Sequence, residues 1–147
     1  MRKRAEPFLD TFGEGTMQKV FSKTWSLREQ GLKEIEQEVN RGGGSSSTKS
    51  ALLSAILGIT SYTVPDKIAQ VAQRALGLLN TTLDRLSGAS LTSDGHQSLD
   101  KVLSGVIERL GDNNPRIREA TLSAASLIRG LLSPNRSITP DSTLSSD

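Results

Sequence analysis

The chain contains no cysteine and a single histidine, His96, which lies in a polar stretch and is predicted to be plain surface. Disulfides, thiolate metal sites and cysteine nucleophiles are therefore excluded, and so is a metal site built from several histidines. Aromatic residues make up 3% of the sequence, so a core has to be built from Leu, Ile, Val and Ala. This composition favours helices over a β-sandwich, because strands favour aromatic and β-branched residues.

Long apolar runs are also missing, and no stretch approaches the ~18 residues that a membrane span requires. The basic start, Met1 to Ala5, is not followed by an apolar segment, so we do not expect it to be a signal peptide. The 147 residues suffice for one domain with a buried core. The net charge of +2 is too small to indicate a nucleic-acid or membrane partner. We therefore expect a cytosolic protein, or a domain of one.

Polar stretches divide the sequence. Residues 41–47 have the Gly/Ser composition of a flexible linker, and residues 87–97 are predicted to form a polar loop. The basic residues 1–7 are predicted to be flexible, and the Ser/Thr/Pro-rich residues 133–147 are predicted to be a disordered tail. This leaves residues 8–132 as the predicted domain.

Between the polar stretches, apolar residues recur every three or four positions, which is typical of amphipathic helices. With ends uncertain by ~2–4 residues, the predicted helices are 14–21, 26–39, 49–60, 65–86, 98–110 and 115–132, after a short helical turn near residues 8–12. They form three pairs, joined by tight turns at 22–25, 61–64 and 111–114. This pattern predicts an all-α fold, an α-solenoid of about three hairpins with repeats at about 8–39, 48–86 and 98–132. All the turns within pairs should then lie on one edge.

The predicted helix ends have their own chemistry. Ser26 and Glu29 have the spacing of a capping box at the start of the second helix. Gly111 is predicted to end a helix in the left-handed conformation. Asn114 is predicted to cap the next helix, with Pro115 as its first residue.

Two segments resemble the helical HEAT repeats. The third pair contains Leu110-Gly-Asp-Asn-Asn-Pro-Arg-Ile-Arg-Glu-Ala120, which is similar to the HEAT signature of an Asp-containing turn followed by a basic Arg. The first pair contains Lys23-Thr-Trp-Ser-Leu-Arg-Glu29, which resembles the first repeat of TOG domains, the tubulin-binding HEAT arrays. Phe12-Gly13 ahead of this segment is similar to the short TOG domains of a centrosomal protein of ciliary tips.

The resemblance implies a non-enzymatic module that binds αβ-tubulin or microtubule ends through its turns, without a cofactor. It also implies a place in the cytoplasm and cytoskeleton, at the cilium tip, centrosome or basal body, with other ciliary or centrosomal proteins as further partners. No pattern in the sequence brings a nucleophile and a base together. We expect the isolated domain to be a monomer that binds neither nucleic acid nor membranes.

Trp25 is the sharpest candidate for a contact residue. A Trp in a short polar turn can anchor an interface, or it can fold over the edge of its own repeat. Basic residues in or just after the three turns favour an acidic partner such as tubulin. The complete predicted set of tubulin-binding residues is Lys23, Thr24, Trp25, Arg28, Thr63, Val64, Lys67, Asn113, Arg116 and Arg118.

Some of these residues also have a structural alternative. Arg118 either contacts the partner or pairs with Asp112 or with an aspartate of a neighbouring turn. Asn113 either donates hydrogen bonds to the partner or forms the turn. Thr63 and Val64 are assigned by the resemblance alone. The competing hypotheses are a generic HEAT adaptor for another protein and, ranked last, nucleic-acid binding through the basic edge.

Overall fold

A computed structural model of the chain describes residues 8–42, 49–86 and 88–132. The secondary-structure elements of these residues are all helices, which confirms the predicted all-α class. The predicted N-terminal segment 1–7, the tail 133–147 and most of the Gly/Ser linker lie outside the described residues. The helices are α1 (Leu9–Phe12), α2 (Glu14–Val20), α3 (Trp25–Asn40), α4 (Lys49–Thr63), α5 (Ala69–Arg85), α6 (Ser93–Arg109) and α7 (Pro115–Leu132).

The helices form three stacked hairpins, α2–α3, α4–α5 and α6–α7. The second helices of the hairpins pack in the order α3, α5, α7, and α4 packs on α6 in the other layer. This arrangement is the predicted α-solenoid, in which each hairpin buries its apolar stripe against its neighbours. None of the helices in the described part of the chain is both long enough and apolar enough to cross a membrane.

Helix α4 belongs to the middle hairpin and packs against α5 and α6, and Phe8 also covers it. Most of its residues are buried, and no charged residue follows its first position. Its two buried threonines keep their hydroxyl groups satisfied within the helix. Thr60 donates to the carbonyl oxygen of Ile56 at 2.9 Å, and Thr63 donates to that of Ile59 at 3.0 Å. A largely apolar helix of this kind fits only in the middle of a stack.

The first hairpin is closed by a near contact of two helix backbones at Gly31. A Cβ atom added to Gly31 would lie 2.8 Å from both the backbone nitrogen and the Cγ2 of Val20. Because a backbone atom cannot swing away as a side-chain end can, the approach of α2 to α3 depends on the missing side chain.

The second turn begins later than the sequence predicts. Helix α4 continues to Thr63 instead of ending near residue 60, and the Val64 N–H still bonds to the Thr60 carbonyl at 2.9 Å. Pro65, the predicted first residue of α5, has no N–H and lies in the turn instead. Helix α5 starts at Ala69, so the second turn spans residues 64–68 and not 61–64.

Two predicted helix caps and one predicted helix start are also wrong. Helix α3 starts at Trp25 with Thr24 as N-cap, so Ser26 and Glu29 lie inside the helix and form no capping box. Gly111 does not adopt a positive φ. Helix α6 starts at Ser93, inside the predicted polar loop, because the Thr92 hydroxyl accepts a hydrogen bond from the Gly95 N–H at 3.0 Å. That cap lets an exposed, polar first turn be helical.

Candidate functional site

Three turns connect the helices within the hairpins: turn 1 (residues 21–24), turn 2 (64–68) and turn 3 (110–114). The hairpins stack in the same orientation, so the three turns lie on one edge, as the sequence predicts. Side chains also join the turns directly, as described below. We call this surface the turn edge.

The three turns share one hydrogen-bonding pattern. In each turn a side-chain oxygen accepts a bond from the backbone N–H two residues later, and the following helix begins at the next residue. The bonds are Thr24 N to Ser22 Oγ (3.0 Å), Ile68 N to Asp66 Oδ1 (2.9 Å) and Asn114 N to Asp112 Oδ1 (2.8 Å). The turns can therefore be aligned residue by residue, and equivalent positions can be compared.

The residue at the tip of each turn is exposed. Between the two bonded residues stand Lys23 in turn 1, Lys67 in turn 2 and Asn113 in turn 3. Neither lysine makes an ion pair with another residue of the described ranges. The turn edge therefore presents two free ammonium groups and one amide group in equivalent positions.

Trp25 is the first residue of α3, and its side chain is exposed at 40%. Ala69 and Pro115 stand at the equivalent positions of the second and third hairpins. Turn 1 is thus the only one of the three turns to place a large apolar side chain there. Thr24, immediately before it, is exposed and makes no side-chain capping bond. Of the two alternatives for Trp25, its exposure favours the role of a contact residue.

The Arg28 side chain forms its hydrogen bonds with residues of turns 1 and 2. Its Nε lies 2.8 Å from Asp66 Oδ2, and its Nη2 lies 3.1 Å from Asp66 Oδ1. Its Nη1 donates to the carbonyl oxygens of Ser22 and Lys23 at 3.0 and 3.1 Å. The guanidinium group therefore joins turn 1 to turn 2 and has few donors left for a partner.

Arg109, the last residue of α6, joins turn 2 to turn 3, and sequence reasoning missed it. Its Nε donates to the Val64 carbonyl at 2.9 Å, its Nη2 donates to the Asp66 carbonyl, and its Nη1 lies 2.8 Å from Asp112 Oδ2. The sequence signal that could have pointed to Arg109 is the alignment of the turns on Asp66 and Asp112, because Arg109 stands three residues before Asp112.

Arg116 and Arg118, the two basic residues after turn 3, are both exposed. Arg118 Nη1 donates to the backbone carbonyl of Asp112 at 2.7 Å, so Arg118 does bond within its own turn, although not to the carboxylate. Arg116 has no side-chain bond within the described ranges and offers its full guanidinium group to solvent. Asn114 caps α7 as predicted, and its Oδ1 accepts from the Arg116 N–H at 2.9 Å.

Thr63 and Val64 do not lie on the exposed turn edge. The exposed fractions are 3% for Thr63 and 0% for Val64. Thr63 ends α4 with its hydroxyl bonded to Ile59, and Val64 packs in the core near Gly105. The resemblance alone assigned them to the contact surface, and α4, which continues to Thr63, turns both side chains inward.

The acidic groups of the turns are neutralised internally. Asp66 pairs with Arg28, and Asp112 pairs with Arg109. The hydrogen bond from the Asn114 N–H, and then the Arg109 guanidinium, hold the pKa of Asp112 below its usual range. In the part of the chain that the structure describes, no group of three His, Asp or Glu residues is placed to hold a metal ion. The exposed charge of the turn edge is therefore basic.

Stacked helical hairpins with aligned turns on one edge define a HEAT-type α-solenoid. The chain belongs to the TOG-domain family of the centrosomal protein CEP104, whose family model matches residues 2–130. The predicted resemblance is thereby confirmed. Sequence comparison with curated proteins gives no match.

Solved structures similar to this chain include the following two. One is described as the CEP104 TOG domain, with 26% identity and a TM-score of 0.64, over 87% of this chain and 50% of that chain. The other is the TOG domain of human Cep104, with 20% identity and a TM-score of 0.64, over 92% of this chain and 53% of that chain. At its lower identity, the second supports the fold alone. The chain spans about half the length of the structures that it matches.

Proposed function

We propose that this chain is a tubulin-binding module and that the turn edge is its contact surface. The observation that carries the proposal is the position of Trp25, exposed at the start of α3, two residues after the exposed Lys23. An exposed Trp buries a large apolar area when a partner docks, at little cost in side-chain entropy. Membership of a TOG-domain family supports tubulin as that partner.

The charge of the turn edge supports the same partner. Lys23, Lys67 and Arg116 are exposed and unpaired within the described ranges, while the acids of the turns are occupied by arginines. Tubulin is strongly acidic, so a basic edge steers the encounter and pairs with surface carboxylates. The proposed contact set is therefore Lys23, Thr24, Trp25, Lys67, Asn113, Arg116 and Arg118.

The proposed role is binding and not catalysis, by a monomer, on soluble tubulin or at microtubule ends. The family takes its name from a centrosomal protein, so we further propose that the parent protein acts at the centrosome, the basal body or the cilium tip. Localisation of the tagged chain in ciliated cells tests this second statement separately from tubulin binding.

Size-exclusion chromatography with unpolymerised αβ-tubulin at low salt tests the proposal. The wild-type chain is expected to co-elute with tubulin. The variant Trp25→Ala is expected to bind at least tenfold more weakly, since a central Trp typically contributes ~2 kcal/mol or more to an interface. Circular dichroism has to show the same helical content in both proteins.

Leu122→Ala is the matched control, because Leu122 is an exposed apolar residue of α7 away from the turns. It is expected to co-elute like the wild type. Unchanged binding by a folded Trp25→Ala variant would contradict the proposed surface. A folded wild-type chain that fails to bind tubulin and captures another protein through the same edge would favour the generic HEAT adaptor.

A further inference from the structure

The alignment of the turns shows that one arginine is missing from an otherwise repeated arrangement. In turn 1, Arg28 donates to the carbonyl of Ser22, six residues before it, at 3.0 Å. In turn 3, Arg118 donates to the carbonyl of Asp112, also six residues before it, at 2.7 Å. The equivalent residue of the second hairpin is Ala72, which is buried and cannot donate.

Arg109 fills the place of the missing arginine from a different helix. Its Nη2 donates to the carbonyl of Asp66, the oxygen that a sixth-residue arginine of the second hairpin would contact. Arg109 ends α6, so the donor comes from the first helix of the third hairpin instead of from α5. In turns 1 and 3 the arginine that binds the turn carbonyl belongs to the same hairpin. At turn 2 it belongs to the next hairpin, so this hydrogen bond joins two hairpins.

Because Arg109 takes the place of the missing arginine, it contacts both turn 2 and turn 3. Two of its nitrogens bind the backbone of turn 2, at Val64 and Asp66, and the third binds the Asp112 carboxylate in turn 3. The side chains of Arg109 and Asp112 are both mostly buried. A planar guanidinium with three fixed acceptors holds both turns in one geometry, which a flexible ammonium group would not do.

We propose that Arg109 is a positioning residue that sets the spacing between the tips of turns 2 and 3, Lys67 and Asn113. The consequence for binding rests on the proposed function of the turn edge: a pre-set spacing lowers the entropy cost of docking on a rigid partner. Arg28 has the corresponding role between turns 1 and 2, through the Asp66 carboxylate. The two arginines therefore control separate intervals of the same edge.

Distances between the turn tips test the proposal without tubulin. The chain has no cysteine, so Lys23→Cys with Lys67→Cys, and Lys67→Cys with Asn113→Cys, each give a protein with two spin labels. Pulsed dipolar spectroscopy then measures the distance distribution of each interval. Each pair is made in the otherwise wild-type chain and together with Arg109→Gln, Arg109→Lys or Arg28→Gln.

Arg109→Gln is expected to broaden the distribution between positions 67 and 113 and to leave that between 23 and 67 unchanged. Arg28→Gln is expected to do the reverse. Arg109→Lys keeps the charge but cannot hold three acceptors at once, so it is expected to broaden the 67–113 interval partly. An unchanged 67–113 distribution in Arg109→Gln overturns the proposal, and so does equal broadening of both intervals, which indicates general loosening of the fold.

Tubulin affinity of the unlabelled Arg109→Gln protein completes the test. We expect about a threefold to tenfold loss relative to the wild type, with Trp25 and both lysines still in place. If the wild type does not bind tubulin, the proposed function fails, while the distance measurement still decides the role of Arg109. If the 67–113 interval broadens without loss of affinity, the positioning role in binding is refuted.

Discussion

Arg28 and Asp66 form a two-point ion pair between adjacent turns, with Nε to Oδ2 at 2.8 Å and Nη2 to Oδ1 at 3.1 Å. Their side chains are exposed at 18% and 10%, so the pair is largely shielded from water. The carboxylate also accepts the Ile68 N–H that shapes turn 2. One aspartate thus fixes both the shape of its own turn and the position of the turn beside it.

Arg28→Gln should therefore destabilise the fold as well as loosen the turn edge. Removal of the guanidinium leaves the Asp66 carboxylate mostly buried with only its backbone bond, which costs about 1–3 kcal/mol. Urea unfolding followed by circular dichroism measures the loss. Arg116→Gln is the matched control, since Arg116 is exposed and makes no side-chain bond within the described ranges. Equal stability of the two variants would show that the Arg28 pair contributes nothing to stability.

Acid should weaken the fold partly through Asp112. Bonds from the Asn114 N–H and from Arg109 lower its pKa in the folded state, so the charged form is favoured there. This contribution is fully present above the unfolded pKa of about 4 and is lost as the pH falls through the lower, folded pKa. Asp112→Asn can still accept the Asn114 N–H but carries no charge. The stability difference between wild type and Asp112→Asn is expected to be largest near neutral pH and to shrink below about pH 4.

Urea unfolding of both proteins between pH 3 and pH 7 measures that difference. Glu34 also contributes to the acid sensitivity of the wild type, because the hydrogen bond from Lys19 lowers its pKa. Both proteins retain Glu34, so its contribution cancels in the comparison. A difference that stays constant over the whole pH range would show that the Asp112 charge is not stabilised by folding.

Much of the fold can be predicted from local sequence chemistry. The bounds of α7 coincide with the prediction, because Asn114 as cap and Pro115 as first residue fix its start without help from the rest of the chain. The apolar period likewise locates every long helix. The end of α4 was predicted three residues early, because its last turn contains polar residues that look like a loop. The structure buries Thr60 and Thr63 by bonding their hydroxyls to the helix itself.

The candidate site could be predicted less well, because its arrangement depends on partners far apart in the sequence. From the sequence, Arg28 is predicted to be a free surface cation, because its partner Asp66 lies 38 residues away. Arg109 bonds to Val64 across 45 residues. The exposure of Trp25 is predictable from its place at the end of a short polar turn. The division of the arginines into structural and exposed ones was not.

Two helical glycines should respond in opposite ways to alanine. Gly31 lies where α2 meets α3, and its added Cβ would be 2.8 Å from the Val20 backbone nitrogen. Gly31→Ala is therefore expected to destabilise the fold by about 1–3 kcal/mol through overpacking. Gly77, in α5, has no atom within 4 Å of an added Cβ, so Gly77→Ala is expected to stabilise it by about 0.5–1 kcal/mol. Thermal unfolding measures both, and a stable Gly31→Ala protein would show that α2 can move away without cost.

Charge reversal at the turn tips should weaken tubulin binding in a salt-dependent way. Lys23→Glu and Lys67→Glu each place a negative charge on the turn edge, where it repels an acidic partner and slows association. We expect each to weaken binding about tenfold at low salt, and the difference from wild type to shrink as added salt screens the exposed charges. Biolayer interferometry with immobilised tubulin at several salt concentrations measures both effects.

The matched control is Lys101→Glu, because Lys101 is an exposed residue of α6 outside the three turns. It changes the net charge of the chain by the same amount as the tip variants. If general repulsion governed the encounter, Lys101→Glu would slow association as much as Lys67→Glu does. If the turn edge is the contact surface, the tip variants lose affinity and Lys101→Glu does not, since charges separated by more than ~10 Å are largely screened at moderate salt. Equal effects at all three positions would remove the argument that the basic charge acts through this edge.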